Sequence, residues 1–279
     1  MSLTPVLGLA DAWDIAAEAI EHDPMRPIRY GKCFGYFGDC SRQAKLLEVG
    51  CGEGTGLLFA TQIGFQNLAG YEISEERLRR ATSKLGSEVL LASVDGTGAL
   101  PFETALFDGA YSTAVIEHTT DPKAFMQEIA RVVKPGGVVV ISSDCWQWRV
   151  LQCLGIYQSA QPIDRAMTTS KLFSLFRATG FEVLHFDGFA LPGQEFRFLR
   201  MLTTWLWRNP LSARVIGRLK RLIHQRERTD LQPEPRRSIE QEYQIFADIV
   251  AESFPRKPKL MRYFASTFSD ENVFYLRRK

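Results

Sequence analysis

The residues best placed to do chemistry form the run Leu46-Leu-Glu-Val-Gly-Cys-Gly-Glu-Gly-Thr-Gly56. It stands between a segment that reads as a strand and one that reads as a helix, the context that gives a G-x-G pattern physical meaning. Gly50, Gly52 and Gly54 permit a tight turn and let the backbone approach a ligand where any Cβ would collide. Their spacing, G-x-G-x-G, departs from the G-x-G-x-x-G of pyrophosphate-binding turns. Glu48, two residues before the first glycine, points to a ligand carrying positive charge, such as an amino group or a sulfonium. Cys51, inside the turn, reads as a small packing side chain with no redox partner nearby.

Regularly alternating elements must hold this turn. Apolar runs at 44–49, 67–72, 89–94, 107–112 and 138–142 predict five strands, and helices are predicted over 56–63, 77–84 and 122–133. Ser74 is a natural N-cap, with Glu75 and Glu76 favourably placed in the first turn that follows. Strands alternating with helices about ten residues long imply a parallel sheet covered on both faces. Beyond the fifth strand lie an aromatic-rich insertion, a helix over 170–179, a sixth strand over 181–190, a long excursion and a closing strand over 272–277.

Residues 46–56 resemble motif I of the class I S-adenosylmethionine-dependent methyltransferases, and the resemblance continues in register for about a hundred residues. Gly70-Tyr-Glu-Ile-Ser74 resembles the end of the second strand in that family, where an acid grips both ribose hydroxyls; the resemblance gives that role to Glu72, beside Ile73. Ser93-Val-Asp-Gly96 resembles the loop whose acid bonds the adenine amino group, which assigns Asp95, with Gly96 next to it. Phe107-Asp-Gly-Ala-Tyr-Ser-Thr-Ala-Val-Ile-Glu-His118 resembles the fourth-strand motif of the type-11 branch and adds Ser112 to the cofactor set. Ile129-Ala-Arg-Val-Val-Lys-Pro-Gly-Gly-Val138 resembles the turn into strand five.

The resemblance implies a Rossmann-like α/β fold: a seven-stranded, mostly parallel sheet with helices on both faces, the closing strand antiparallel beside strand six, and a helical cap over the carboxyl edge. The expected organisation is an N-terminal arm or lid over 1–43, a cofactor-binding core over 44–191 with an insertion at 144–168, a helical cap over 192–267 and the closing strand over 268–279. It also implies S-adenosylmethionine as cofactor, held by Glu48, Gly50, Gly52, Gly54, Glu72, Ile73, Asp95, Gly96 and Ser112. Methyl transfer is an in-line displacement, so catalysis needs positioning, and a base if the nucleophile is a hydroxyl. His118, after strand four, has the intrinsic pKa of a base; Glu117 and Asp144 are the alternatives. No spaced set of acids reads as a metal site.

The expected acceptor is a small or lipid-like organic molecule, methylated at oxygen. It should meet the aromatic, glycine-rich stretch 29–38, read as a loop carrying Tyr30 and Phe34, and the insertion carrying Trp146. Two other functions compete: a nicotinamide-dependent oxidoreductase, because the acid after strand two is common to that fold, and a cofactor-binding regulatory protein without catalysis.

Charge and composition bound these readings. The chain has 279 residues, 34 Lys+Arg against 32 Asp+Glu, and a net charge of +2, which argues against a dedicated nucleic-acid binder. Residues 1–130 hold 10 basic and 18 acidic side chains, whereas 131–279 hold 24 and 14. Nine basic residues against one acid fall between 196 and 228, interleaved with Trp, Phe and Leu, a pattern that reads first as a helical cap with a solvated basic face, second as peripheral contact with an anionic membrane, and least as nucleic-acid contact. Five scattered cysteines suggest neither zinc nor disulfides. With no apolar run long enough to span a bilayer and no signal-like N-terminus, the expected location is the cytoplasm.

Overall fold

A computed structural model of the chain describes residues 23–38, 40–87, 89–93, 99–156, 163–190, 201, 237–251 and 269–279. In chain order the elements are α1 (Arg26–Tyr36), β1 (Lys45–Val49), α2 (Thr55–Gln62), β2 (Asn67–Tyr71), α3 (Glu75–Leu85), β3 (Leu90–Ala92), β4 (Phe107–Ser112), a 3-10 turn (Ile116–His118), α4 (Pro122–Val132), β5 (Val133–Asp144), α5 (Trp146–Cys153), α6 (Thr169–Ala178), β6 (Phe181–Phe189), α7 (Ile239–Ala251) and β7 (Glu271–Arg278).

The strands form one seven-stranded sheet in the order β3-β2-β1-β4-β5-β7-β6. β1 pairs in parallel with both β2 and β4, while β7 is antiparallel to β5 and β6. The chain therefore reverses its direction of sheet growth at β1, and the crevice beyond the carboxyl ends of β1 and β4 is the switch point where ligands bind in such sheets. Because β7 runs antiparallel, its first residues, Glu271 and Asn272, arrive at that same edge opposite Asp144 and Ser143.

Two apolar layers hold the sheet. One face buries Phe34, Phe59, Tyr111, Tyr275 and Phe246, and the other buries Ile129, Val139, Phe176, Phe181 and Phe274. Side chains cap the starts of two helices: Ser74 Oγ accepts from Arg77 N at 3.1 Å, as its sequence position predicts, and Asp121 accepts from Lys123 N and Ala124 N ahead of Pro122.

Two expectations are corrected. The stretch 29–38, expected to be a loop, lies largely in helix α1, because Tyr30, Cys33, Phe34 and Phe37 are spaced to make one apolar stripe that outweighs the glycines. Gly31 serves the packing of that helix: a Cβ there would lie 2.7 Å from Ile249 Cγ2 of α7, so the missing side chain lets the two helices close. The second correction concerns β5, which begins at Val133 and not at 138; a register shift between Phe107 and Gly109 of β4 accommodates Lys134-Pro-Gly-Gly137.

Within the stretch expected to be a cap, α7 packs Phe246 into the core against Phe34 and Phe59. The basic run 196–228 lies outside the described residues apart from Met201. Among the described residues no helix is long and apolar enough to cross a membrane.

Candidate active site

The glycine turn has the backbone its sequence requires. Gly50, Gly52 and Gly54 all adopt positive φ, at 80°, 55° and 75°. Gly50 N and Cys51 N both donate to Tyr71 O, which ties the turn to the end of β2. A Cβ would lie 2.5 Å from Val115 Cγ2 at Gly50, 2.4 Å from Arg77 Nη2 at Gly52 and 2.6 Å from Leu85 Cδ1 at Gly54, so the turn packs against its neighbours with no room for side chains.

Glu72 stands directly beside this turn, 4% exposed. Its Oε2 accepts from Gly52 N at 2.8 Å, and its Oε1 accepts from Ile73 N at 2.9 Å and Ser74 N at 3.1 Å. Arg77 Nη1 lies 3.9 Å from Glu72 Oε2, and Arg77 Nε is buried with no hydrogen-bond partner. A carboxylate clamped by backbone donors at the end of β2, beside an orphaned guanidinium nitrogen, suits a neutral polyhydroxyl group such as a ribose. The residues present thus fit a nucleoside cofactor.

Glu48 is fully buried at the end of β1. Tyr30 Oη donates to its Oε1 at 2.9 Å and Tyr111 Oη to its Oε2 at 3.1 Å. Burial pushes its carboxyl up to about 8, although both tyrosine hydrogen bonds pull the other way. Folding therefore raises its proton affinity above the unfolded value. The stability this contributes is complete below the unfolded pKa and is lost as pH rises towards about 8. Glu48→Gln should accordingly gain on wild type by several kcal/mol between pH 5 and pH 8, read as a growing difference in Tm without cofactor. A constant difference across that range would show that Glu48 ionises freely.

The remaining expected residues are placed as follows. Ser112 Oγ donates to Val49 O at 2.7 Å, joining the ends of β4 and β1. Ile73 is 37% exposed beside Glu72, and Asp95 and Gly96 lie outside the described residues. Of the three residues expected to meet an acceptor, Trp146 is 36% exposed at the start of α5, whereas Tyr30 is bound to Glu48. Phe34 is fully buried among Phe37, Phe65, Tyr111 and Phe246, which corrects its expected place: it is a core residue on the apolar stripe of α1.

The carboxyl edge of β4 and β5, where β7 begins, carries a second polar group. Glu117 is fully buried in the 3-10 turn; its Oε1 accepts from Asp144 N at 3.0 Å and its Oε2 has no partner. Burial, then the neighbouring Glu117 and Glu271, push the Asp144 carboxyl well above its ordinary range. Arg29 of α1 binds both Glu271 and, at 2.6 Å, Asp23; burial pushes Glu271 up to about 7 against the pull of that guanidinium. His118 Nδ1 lies 2.5 Å from Ile163 O, which makes Nδ1 the protonated nitrogen, and its Nε2 is 4.0 Å from Glu117 Oε1. Asn272, at the start of β7, is fully buried with neither amide atom bonded.

The sequence reasoning passed over Arg29, Tyr111, Arg77, Glu271 and Asn272. One signal was present for the last two: a pair of polar residues opening an otherwise apolar strand, Glu271-Asn-Val-Phe-Tyr-Leu276.

The sheet order, the glycine turn at the switch point and an acid at the end of β2 together define a nucleoside-binding α/β protein. Comparison with known proteins specifies the kind: residues 47–141 match a family model described as a methyltransferase domain. The chain is 30% identical over 147 residues to the O-methyltransferase resE of Aspergillus sclerotiorum, covering 50% of this chain and 56% of that protein. It is 37% identical over 106 residues to the 2-methyl-6-phytyl-1,4-hydroquinone methyltransferase of Synechocystis sp., covering 37% and 32%. The chain thus spans from about a third to just over half the length of these curated relatives. In fold it is similar to the phosphoethanolamine N-methyltransferase 2 of Haemonchus contortus, solved with S-adenosyl-L-methionine, at a TM-score of 0.52 and 19% identity over 89% of this chain and 52% of that one. The chain contains a class I S-adenosylmethionine-dependent methyltransferase domain. These matches favour that reading over the nicotinamide-dependent one.

Proposed function

We propose that the protein transfers a methyl group from S-adenosylmethionine to a hydroxyl of a small or lipid-like organic acceptor. The observation that carries this reading is the positive-φ glycine turn Gly50-Cys-Gly-Glu-Gly54 at the end of β1, bonded through Gly52 N to the backbone-clamped carboxylate of Glu72. In this reading Glu72 and Ile73 meet the ribose, Asp95 and Gly96 the adenine, and Ser112 keeps the ends of β1 and β4 together. Glu48, expected to meet the cofactor directly, has both oxygens taken by Tyr30 and Tyr111 in the core, so its role in this reading is to hold those side chains behind the turn.

The bound cofactor supplies an electrophilic methyl carbon and the neutral thioether leaving group. The chain's own task is to hold the nucleophile in line, keep water out and take up a proton. His118 and Glu117 stand together beyond β4, at the edge where an acceptor would enter, and Trp146 offers a partly exposed aromatic surface there. The two curated relatives described above, one named for O-methylation and one for a prenylated hydroquinone, support an organic acceptor with a hydroxyl. The basic aromatic run 196–228 is compatible with contact with an anionic membrane surface, which would suit a lipid-like acceptor.

A mass-shift screen tests this reading. Incubating the protein and S-adenosylmethionine with an organic extract should yield a product heavier by about 14 mass units, the replacement of a hydroxyl hydrogen by methyl. The same shift appearing in protein or nucleic acid, with none in the organic phase, would overturn it.

A further inference from the structure

Helix α3 packs the glycine turn along one stripe, and the first residue of that stripe is charged. A Cβ on Gly54 would meet Leu85 Cδ1 at 2.6 Å and Ala81 Cβ at 3.2 Å, whereas one on Gly52 would meet Arg77 Nη2 at 2.4 Å. Residues 77, 81 and 85 fall four apart on one helix face, so a guanidinium stands where an apolar side chain would satisfy the packing. The Arg77 side chain is 18% exposed. Its Nη1 approaches Glu72 Oε2 only to 3.9 Å, beyond hydrogen bonding, and its buried Nε has no partner. A buried donor left unbonded costs stability, and an ion pair of that length repays little of it. The stability of the ligand-free chain therefore does not account for an arginine here.

We infer that Arg77 is a positioning residue for ribose recognition, whose guanidinium fork sets, through Glu72 and Gly52, how tightly the cofactor's hydroxyls are held. The inference rests on the methyl-transfer reading above, in which Glu72 meets the ribose. Its geometry is a triangle. Glu72 Oε2 accepts from Gly52 N at 2.8 Å, Arg77 Nη1 approaches that same oxygen, and Arg77 Nη2 lies against Gly52. The planar fork thus spans both partners of the Glu72–Gly52 bond, which a point charge on a flexible stem would not do. Its charge draws the carboxylate towards the turn while Ile73 N and Ser74 N fix Oε1 from the other side. Ser74 Oγ also accepts from Arg77 N, so the backbone that carries the guanidinium is anchored beside the acid it orients. An acid held in one orientation before binding loses less freedom when a diol arrives, and the saving appears as affinity for the hydroxyls alone.

Calorimetric titration of the full chain with S-adenosylhomocysteine and with its 2′,3′-dideoxy analogue separates positioning from packing. Wild type should prefer the ribose form by about 100-fold, the worth of charge-assisted bonds to two hydroxyls. Arg77→Met keeps an unbranched stem on the stripe without the charge. It should cut the preference to about tenfold while binding the dideoxy analogue as wild type does. Arg77→Lys restores the charge but not the fork, and its preference should lie between the two. Without ligand, Tm in Arg77→Met should stay within about 3 °C of wild type, because Glu72 keeps its bonds from Gly52, Ile73 and Ser74.

The inference is overturned if either variant weakens both ligands by the same factor, which would make Arg77 a packing residue, or if Arg77→Met leaves the preference unchanged. A wild-type preference in Arg77→Lys, or equal affinity of the wild type for the two ligands, overturns it as well. If Arg77→Met does not fold, Arg77→Lys decides alone. Failure of the wild type to bind either ligand would instead remove the methyltransferase reading.

Discussion

Gly56→Ala should cripple both the fold and the cofactor site, although residue 56 lies just outside the turn itself. A Cβ there would sit 2.3 Å from Tyr30 Cε1, 2.6 Å from its Cζ and 2.8 Å from Glu48 Oε1. None of these atoms can retreat cheaply. The Tyr30 ring is held edge-on to Phe59 at 6.2 Å between centroids, its hydroxyl is bonded to Glu48, and its backbone belongs to a helix that packs on α7. Overpacking of this kind costs about 1–3 kcal/mol, and breaking the Tyr30–Glu48 bond adds about 1–3 more. We expect Tm to fall by roughly 6–10 °C and S-adenosylhomocysteine affinity by more than about tenfold. An unchanged Tm with unchanged affinity would show that Tyr30 does not hold the position described.

The second large effect is expected at Glu72. Its carboxylate does two things at once: it accepts three backbone N–H bonds that shape the turn, and it presents the acid expected to meet a ribose. Glu72→Ala leaves the Gly52, Ile73 and Ser74 donors unsatisfied in a buried place and removes any charge-assisted bonds to a ligand. The expected loss is about 3 kcal/mol of cofactor binding, on the order of 100-fold in Kd, with a smaller drop in Tm. Glu72→Gln should fall between, since one amide oxygen still accepts from the backbone. Wild-type affinity in Glu72→Ala would remove this residue from the site.

The two halves of the site differ in how far they could be read from sequence, for a physical reason. The cofactor side is local. Gly50 to Gly54 form one turn, and Glu72 is only 20 positions from Gly52, to which it bonds. Strand, turn and helix each leave their own periodicity, so the run from β1 to β5 was legible except at Val133, where Lys134-Pro-Gly-Gly137 reads as a turn but is absorbed as an irregularity between β4 and β5. The proposed acceptor side is assembled from elements far apart in sequence. Arg29 and Glu271 are separated by 242 positions, and neither sits in a motif.

Helix α1 shows a third kind of failure. Its glycines and aromatics suggested a flexible stretch, yet Tyr30, Cys33, Phe34 and Phe37 follow a helical period, and Gly31 is required by the approach of Ile249. Composition misled where spacing would not have. The same helix supplies Tyr30 to Glu48 and Arg29 to Glu271, so it bridges the two halves of the site.

The central claim is that the crevice at the ends of β1 and β4 was built for S-adenosylmethionine, and calorimetric titration of the full chain tests it most directly. S-adenosylhomocysteine should bind at one site per chain, with affinity weakened in Glu72→Ala, while NAD shows no saturable heat. Saturable NAD binding with none for S-adenosylhomocysteine would contradict the account.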